Sequence, residues 1–232
     1  MNLYDKHIEE YFQLLKAADK IASTSPWPEA SKSDIIMRSD MAYELGGGTK
    51  QALSGLCITE DENLVPKDQA FLLGPDLNAI SEDCDFARIA FVRVAPDSLG
   101  EGDQMYKNIR AIEYVRYHVR PSGYMLRVSS ANSREPARVS KDALEDSLDF
   151  SNVAKQYFDC YHKNKLVEAV HLYFVTDPSF DYKALKALCE KNEAITRTID
   201  HALKDLNMDC STCADKEICD EIEGIKELHF QK

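Results

Sequence analysis

Phe86-Ala87-Arg88-Ile89-Ala90-Phe91-Val92-Arg93-Val94 is the most strand-like run in the chain. β-Branched and aromatic side chains fit a pleated surface, and here they follow one another almost without a break. A strand with one wet face alternates polar and apolar residues. This run does not alternate, which is the pattern of a strand buried on both faces beneath helices. Only Arg88 and Arg93 interrupt it. Side chains alternate across a strand, so Arg88 aligns with Ala90 and Val92, while Arg93 aligns with Ile89 and Phe91. The two arginines are expected on opposite faces of the sheet.

Working outward, residues 167–176 form a second apolar run of the same kind. Shorter strands are expected at 41–45, 53–59, 70–73 and 124–129, with Gly74-Pro75 stopping the third. Helical spacing marks 3–21, where Leu3, His7, Tyr11, Leu14, Ala18 and Ile21 make one apolar stripe. It also marks 105–119, stopped by Pro121, and 141–148, with Ser140 placed to cap it. Two further helices are expected at 152–162 and 181–206. Pro26 and Pro28 make 23–33 a linker, with Trp27 pinning it to the body. Strands and helices interleave, so the expected fold is α/β: a mixed β-sheet flanked by helices. The expected organisation is an N-terminal helix and linker (1–34), one α/β domain (35–208) and a cysteine-containing tail (209–232).

The composition sets limits. With 44% apolar residues, the 232-residue chain can bury a substantial core. A net charge of −12 argues against a duplex nucleic-acid binder, which needs a basic face. No run approaches the ~18 apolar residues of a membrane helix. The start lacks the apolar core of a signal peptide, so a cytoplasmic protein is expected. Seven cysteines in that setting are not expected to form structural disulfides.

Three features bear on function. Eight of the ten arginines lie between Arg88 and Arg138: Arg88, Arg93, Arg110, Arg116, Arg120, Arg127, Arg134 and Arg138. A planar guanidinium suits both carboxylates and phosphates, so these residues read either as ion-pair partners or as an anion site. Gly46-Gly47-Gly48 reads as a tight turn; it lacks the further residues of a phosphate loop or dinucleotide fingerprint. Cys210, Cys213 and Cys219 form a C-x2-C-x5-C pattern suited to a soft metal. Candidate fourth ligands are His229, Cys189, Cys160, Asp209 or an outside group. A reduced tail or a redox dithiol are the other readings of these cysteines. The remaining histidines show no ligand or triad spacing, and Cys57 and Cys84 read as small buried apolar residues.

Tyr43-Glu44-Leu45-Gly46-Gly47, then Leu73-Gly74-Pro75-Asp76-Leu77, then Met125-Leu126-Arg127-Val128-Ser129 resemble, in order and spacing, the acetyl-CoA synthase family. The resemblance covers roughly 41–206 and corresponds to that family's central domain. It implies a coenzyme A role for some of the eight arginines. It also makes an iron-sulfur cluster the expected metal group at Cys210, Cys213, Cys219 and His229, with zinc as the alternative. CO dehydrogenase or corrinoid protein subunits are the implied partners. One departure is decisive for activity: the family's nickel site uses a Cys-Gly-Cys tripeptide, and this sequence has no Cys-X-Cys. The expected function is therefore an accessory or regulatory protein of anaerobic one-carbon metabolism. The alternative is a subunit of a split acetyl-CoA synthase, and a third reading is a docking module without a ligand.

Overall fold

The computed structural model describes residues 3–22, 26–31, 36, 39–127, 133–204 and 215–222. Its elements are α1 (Asp5–Leu14), β1 (Asp19–Ile21), β2 (Ala42–Leu45), β3 (Ala52–Thr59), β4 (Gln69–Leu73), β5 (Phe86–Val94) and α2 (Gly102–Glu113). There follow β6 (Tyr124–Leu126), β7 (Ala137–Ser140), α3 (Lys141–Glu145), α4 (Phe150–Tyr161), β8 (Val167–Val175), α5 (Tyr182–Lys204) and α6 (Lys216–Glu221). Short 3-10 turns lie at Leu77–Ala79 and Tyr114–His118.

The two apolar runs are neighbours at the heart of a five-stranded mixed sheet, ordered β1-β4-β8-β5-β3. β5 pairs antiparallel with β8 and parallel with β3; β8 pairs parallel with β4, and β1 closes the edge antiparallel. Every β5 residue except Arg93 is buried. Both faces are covered, as an uninterrupted apolar strand requires. On one face Phe91 meets Tyr11 and Phe12 of α1, and Tyr11 donates to Cys189 of α5. On the other, Phe150 of α4 stacks between Phe86 and Phe174. The expected α/β class and the interior placement of both runs hold.

The structure differs from the sequence reading in several elements. One sheet was expected; a second, antiparallel β2-β7-β6, stands beside the first, and β7 has no strong sequence signal in its four residues. The N-terminal helix ends at Leu14, and Asp19–Ile21 turn away to pair with β4. The helical stripe through Ala18 and Ile21 is overridden because an open sheet edge offers backbone partners that a free helix end does not. Leu3, Tyr4, Ile8 and Tyr11 are buried in the same core as the sheet, so this segment builds into the domain. The Ser140 hydroxyl makes no capping hydrogen bond to α3. Trp27 does pin its segment, donating to Ser122 O at 2.8 Å. Cys57 is buried but Cys84 only half-buried.

Candidate anion-binding site

The Glu-Leu-Gly-Gly segment has a local physical cause. Glu44 on β2 faces Arg138 across the ladder, and accepts from Arg138 Nε at 2.8 Å and Arg127 Nη1 at 2.7 Å. Burial alone would raise the Glu44 carboxyl; hydrogen bonds from Arg138 and Arg127 outweigh it and hold it below the usual carboxylate range. A Cβ on Gly47 would come within 2.6 Å of the Glu44 side chain, so glycine is what lets Glu44 fold back. Gly46 and Gly48 have φ of 73° and 59°, and Lys50 N donates to Gly47 O at 3.0 Å. The run is the tight turn expected, and it aims Thr49 and Lys50 outward from the junction of β2 and β3.

The Gly-Pro-Asp-Leu segment is likewise structural. Gly74 has φ 108°, where a Cβ would approach Asp177 N to 2.3 Å. Asp76 accepts from Leu77 N at 2.6 Å and Phe150 N at 2.8 Å, capping a 3-10 turn and the start of α4 together.

The eight arginines fall into separate groups. Arg88 and Glu135 form a fully buried bidentate pair, with Nη2 to Oε2 at 2.8 Å; Tyr157 donates to the same carboxylate at 3.0 Å. Arg116 approaches it at 3.7 Å. Burial disfavours charge on Arg88, but the Glu135 carboxylate overrides it, so Arg88 is held charged and Glu135 well ionised. Arg127 and Arg138 converge on Glu44. Arg110 pairs with Glu113, and Arg93 lies 3.8 Å from Glu62 and 3.6 Å from Glu168. Arg88 and Arg93 do point to opposite faces. Arg120 and Arg134 are exposed, with no carboxylate partner among the described residues.

Arg134 lines a cleft of about 340 Å³ together with Gly48, Thr49, Lys50, Gln51 and Lys186. Its placement follows from the buried pair. Glu135 is locked by Arg88, and Ser133 O accepts from Ser54 N at 2.8 Å at the edge of β3, so Arg134 between them has a fixed backbone. Lys50 comes from the glycine turn, and Lys186 from the first turns of α5, where its contact to Glu190 is a loose 3.7 Å between exposed groups. The cleft thus gathers three cations, of which Lys50 and Arg134 have no carboxylate partner among the described residues. Lys50 and Lys186 escape the sequence reading; the only signal was Lys50 directly after Gly46-Gly47-Gly48-Thr49.

Of the cysteine cluster, Cys219 is described. It sits half-buried on α6, its N–H donating to Asp215 O at 3.0 Å, while Arg197 of α5 donates to the Asp215 carboxylate at 3.2 Å. Cys210, Cys213, Asp209 and His229 lie outside the described residues. Cys160 and Cys189 are buried elsewhere, engaged with His118 O and Tyr11. Among the described residues no group of three or more His, Cys, Asp or Glu side chains could hold a metal ion. Among them, too, no helix is long and apolar enough to cross a membrane.

No curated protein matches the chain. Residues 27–180, about two thirds of the sequence, match the family model of the CO dehydrogenase/acetyl-CoA synthase complex beta subunit. The matched region runs from Trp27 through both glycine-bearing segments and all eight arginines to Phe180, just before α5. The chain belongs to the CO dehydrogenase/acetyl-CoA synthase complex beta subunit family.

Proposed function

We propose that this protein is an accessory or regulatory member of the CO dehydrogenase/acetyl-CoA synthase system, acting in anaerobic one-carbon metabolism and binding coenzyme A in the Lys50–Arg134–Lys186 cleft. The observation that carries this reading is the convergence of three cations on one cleft, two of them without an acidic partner among the described residues. Coenzyme A presents a diphosphate and a separate 3′-phosphate. A guanidinium and two ammonium groups around a backbone turn suit such a set of anions. The other six paired arginines hold the scaffold, and Arg120 lies apart from the cleft lining. Calorimetric titration with coenzyme A and with dephospho-coenzyme A tests the reading. Coenzyme A is expected to bind more tightly by roughly tenfold, the loss of one well-paired phosphate. Equal failure of both would return these residues to a structural role.

Cys210, Cys213 and Cys219 are proposed to hold an iron-sulfur cluster, or zinc, with His229 as the fourth ligand. The anchoring of Cys219 to the end of α5 through Asp215 and Arg197 supports this by fixing one thiol. A structural metal site of this kind contributes folding free energy directly. Iron and zinc content of anaerobically purified protein, compared with Cys213→Ser, is the check; a wild type with neither metal ends the proposal.

The family description is of a complex subunit, which favours one further reading: a part of a split acetyl-CoA synthase. CO dehydrogenase or corrinoid protein subunits are then the proposed partners. The chain alone is expected to make no acetyl-CoA, and synthesis on adding a separate chain that bears a Cys-Gly-Cys site would establish the split enzyme.

A further inference from the structure

Arg88 is only 1% exposed, and its ion pair does not use all of its guanidinium. Nε and Nη2 both donate to Glu135. Nη1 is buried without a hydrogen-bond partner. A buried charged donor left unmatched is costly, and native structures seldom keep one without a reason. Arg88 lines a small cavity of about 30 Å³ where β5, the edge of β3, α2, α4 and α5 meet. One water needs roughly 10–15 Å³ of such space, so the cavity suits two waters or one molecule of about three or four heavy atoms. Arg116 brings a second guanidinium to the same wall, 3.7 Å from Glu135, and the Ser54 and Tyr161 side chains line it as well. Two acids also border the cavity. Glu113 is paired with Arg110, and burial pushes its carboxyl up against the pull of Arg110 and Arg116, toward the neutral form that donates a hydrogen bond. Glu193 is half-buried, within reach of screening by water.

We propose that this cavity binds a small carboxylate, of the size of formate or acetate, with one of its oxygens accepting from Arg88 Nη1. The unmatched atom is a donor on a fixed cation, so the ligand must present an acceptor there, and a negative one is held more strongly than a neutral one. The planar guanidinium matches a planar carboxylate. The room available excludes longer acids and the tetrahedral phosphate group. The cavity meets the coenzyme A cleft at Ser133, which lines both. The assignment rests on Arg88 and not on that cleft, and no probe in its test carries a phosphate.

The test titrates the full chain, at constant ionic strength, with formate, acetate, butyrate, acetamide and methylammonium, and follows each probe by its own nuclear magnetic resonance signal. Formate and acetate are expected to bind one site and to compete with each other. Butyrate, which is too long, and acetamide, which has the shape of acetate without its charge, should each bind about tenfold more weakly or worse. Methylammonium should not bind. Arg116→Gln should weaken acetate by about tenfold while urea unfolding confirms that the variant is folded. Should that variant fail to fold, crystals of the wild type soaked in formate decide, with the carboxylate expected on Arg88 Nη1. No binding of formate or acetate, equal binding of butyrate or acetamide, binding of methylammonium, full affinity in folded Arg116→Gln, or water alone at Nη1 in the soaked crystal overturns the proposal.

Discussion

Arg88 and Glu135 show how far single residues are readable. The bias toward arginine and the opposite orientation of Arg88 and Arg93 follow from local sequence. The partners do not, because Glu135 is 47 positions from Arg88 and Glu44 is 94 from Arg138. Only the fold brings them together. Since both members of the Arg88–Glu135 pair are buried, removing one strands the other. Arg88→Ala should lower the unfolding free energy by about 3–5 kcal/mol, while Arg88→Met with Glu135→Leu should recover most of it. Urea unfolding measures both; a loss under about 1 kcal/mol for the single variant would contradict the pairing. His171 adds a pH effect. Burial, then the Lys20 charge, lowers its pKa to about 4, against an ordinary value of 6.5. Below 6.5 the unfolded chain takes up the proton first, so stability is present above that value and falls as pH drops toward 4. His171→Phe should flatten the dependence of the urea midpoint on pH between about 4 and 6.5; an unchanged slope would mean that His171 is not the group responsible.

At the level of elements, the long and strongly patterned segments were legible: β5, β8, α4 and α5 stand close to where spacing put them. The shorter β2, β3, β4 and α3 were read as well, but β1 and β7 were not. β7 carries no strand pattern distinct from the loop before it, and β1 exists because β4 leaves an open edge. Deleting residues 1–22 should therefore remove Leu3, Tyr4, Ile8 and Tyr11 from the core along with an edge strand, leaving a chain without a cooperative unfolding transition. A truncated protein that melts like wild type would show the segment to be an appendage. Asp76 carries the family's Gly-Pro-Asp-Leu segment for a reason internal to the fold, since it satisfies Leu77 N and Phe150 N. Asp76→Ala should cost about 1–2 kcal/mol in urea unfolding, with no effect on coenzyme A binding. A change in binding without a change in stability would instead place Asp76 in a ligand site.

For the whole molecule, the sheet and its two helical layers act as a frame that brings the glycine turn, the rim before Glu135 and the start of α5 to one cleft. The sequence showed Arg134 as one of eight and left Lys50 and Lys186 unmarked, because the cleft is assembled from segments about 80, 50 and 140 positions apart in the order of the chain, a relation that only tertiary structure expresses. The most direct measurement of the cleft's role is calorimetric titration of coenzyme A into wild type, Arg134→Glu and Lys50→Glu, at low and at raised salt. The account predicts at least about tenfold weaker binding for each variant, with wild-type affinity falling as salt screens the partly exposed cations. Wild-type affinity in both variants, or none in any protein, would contradict it.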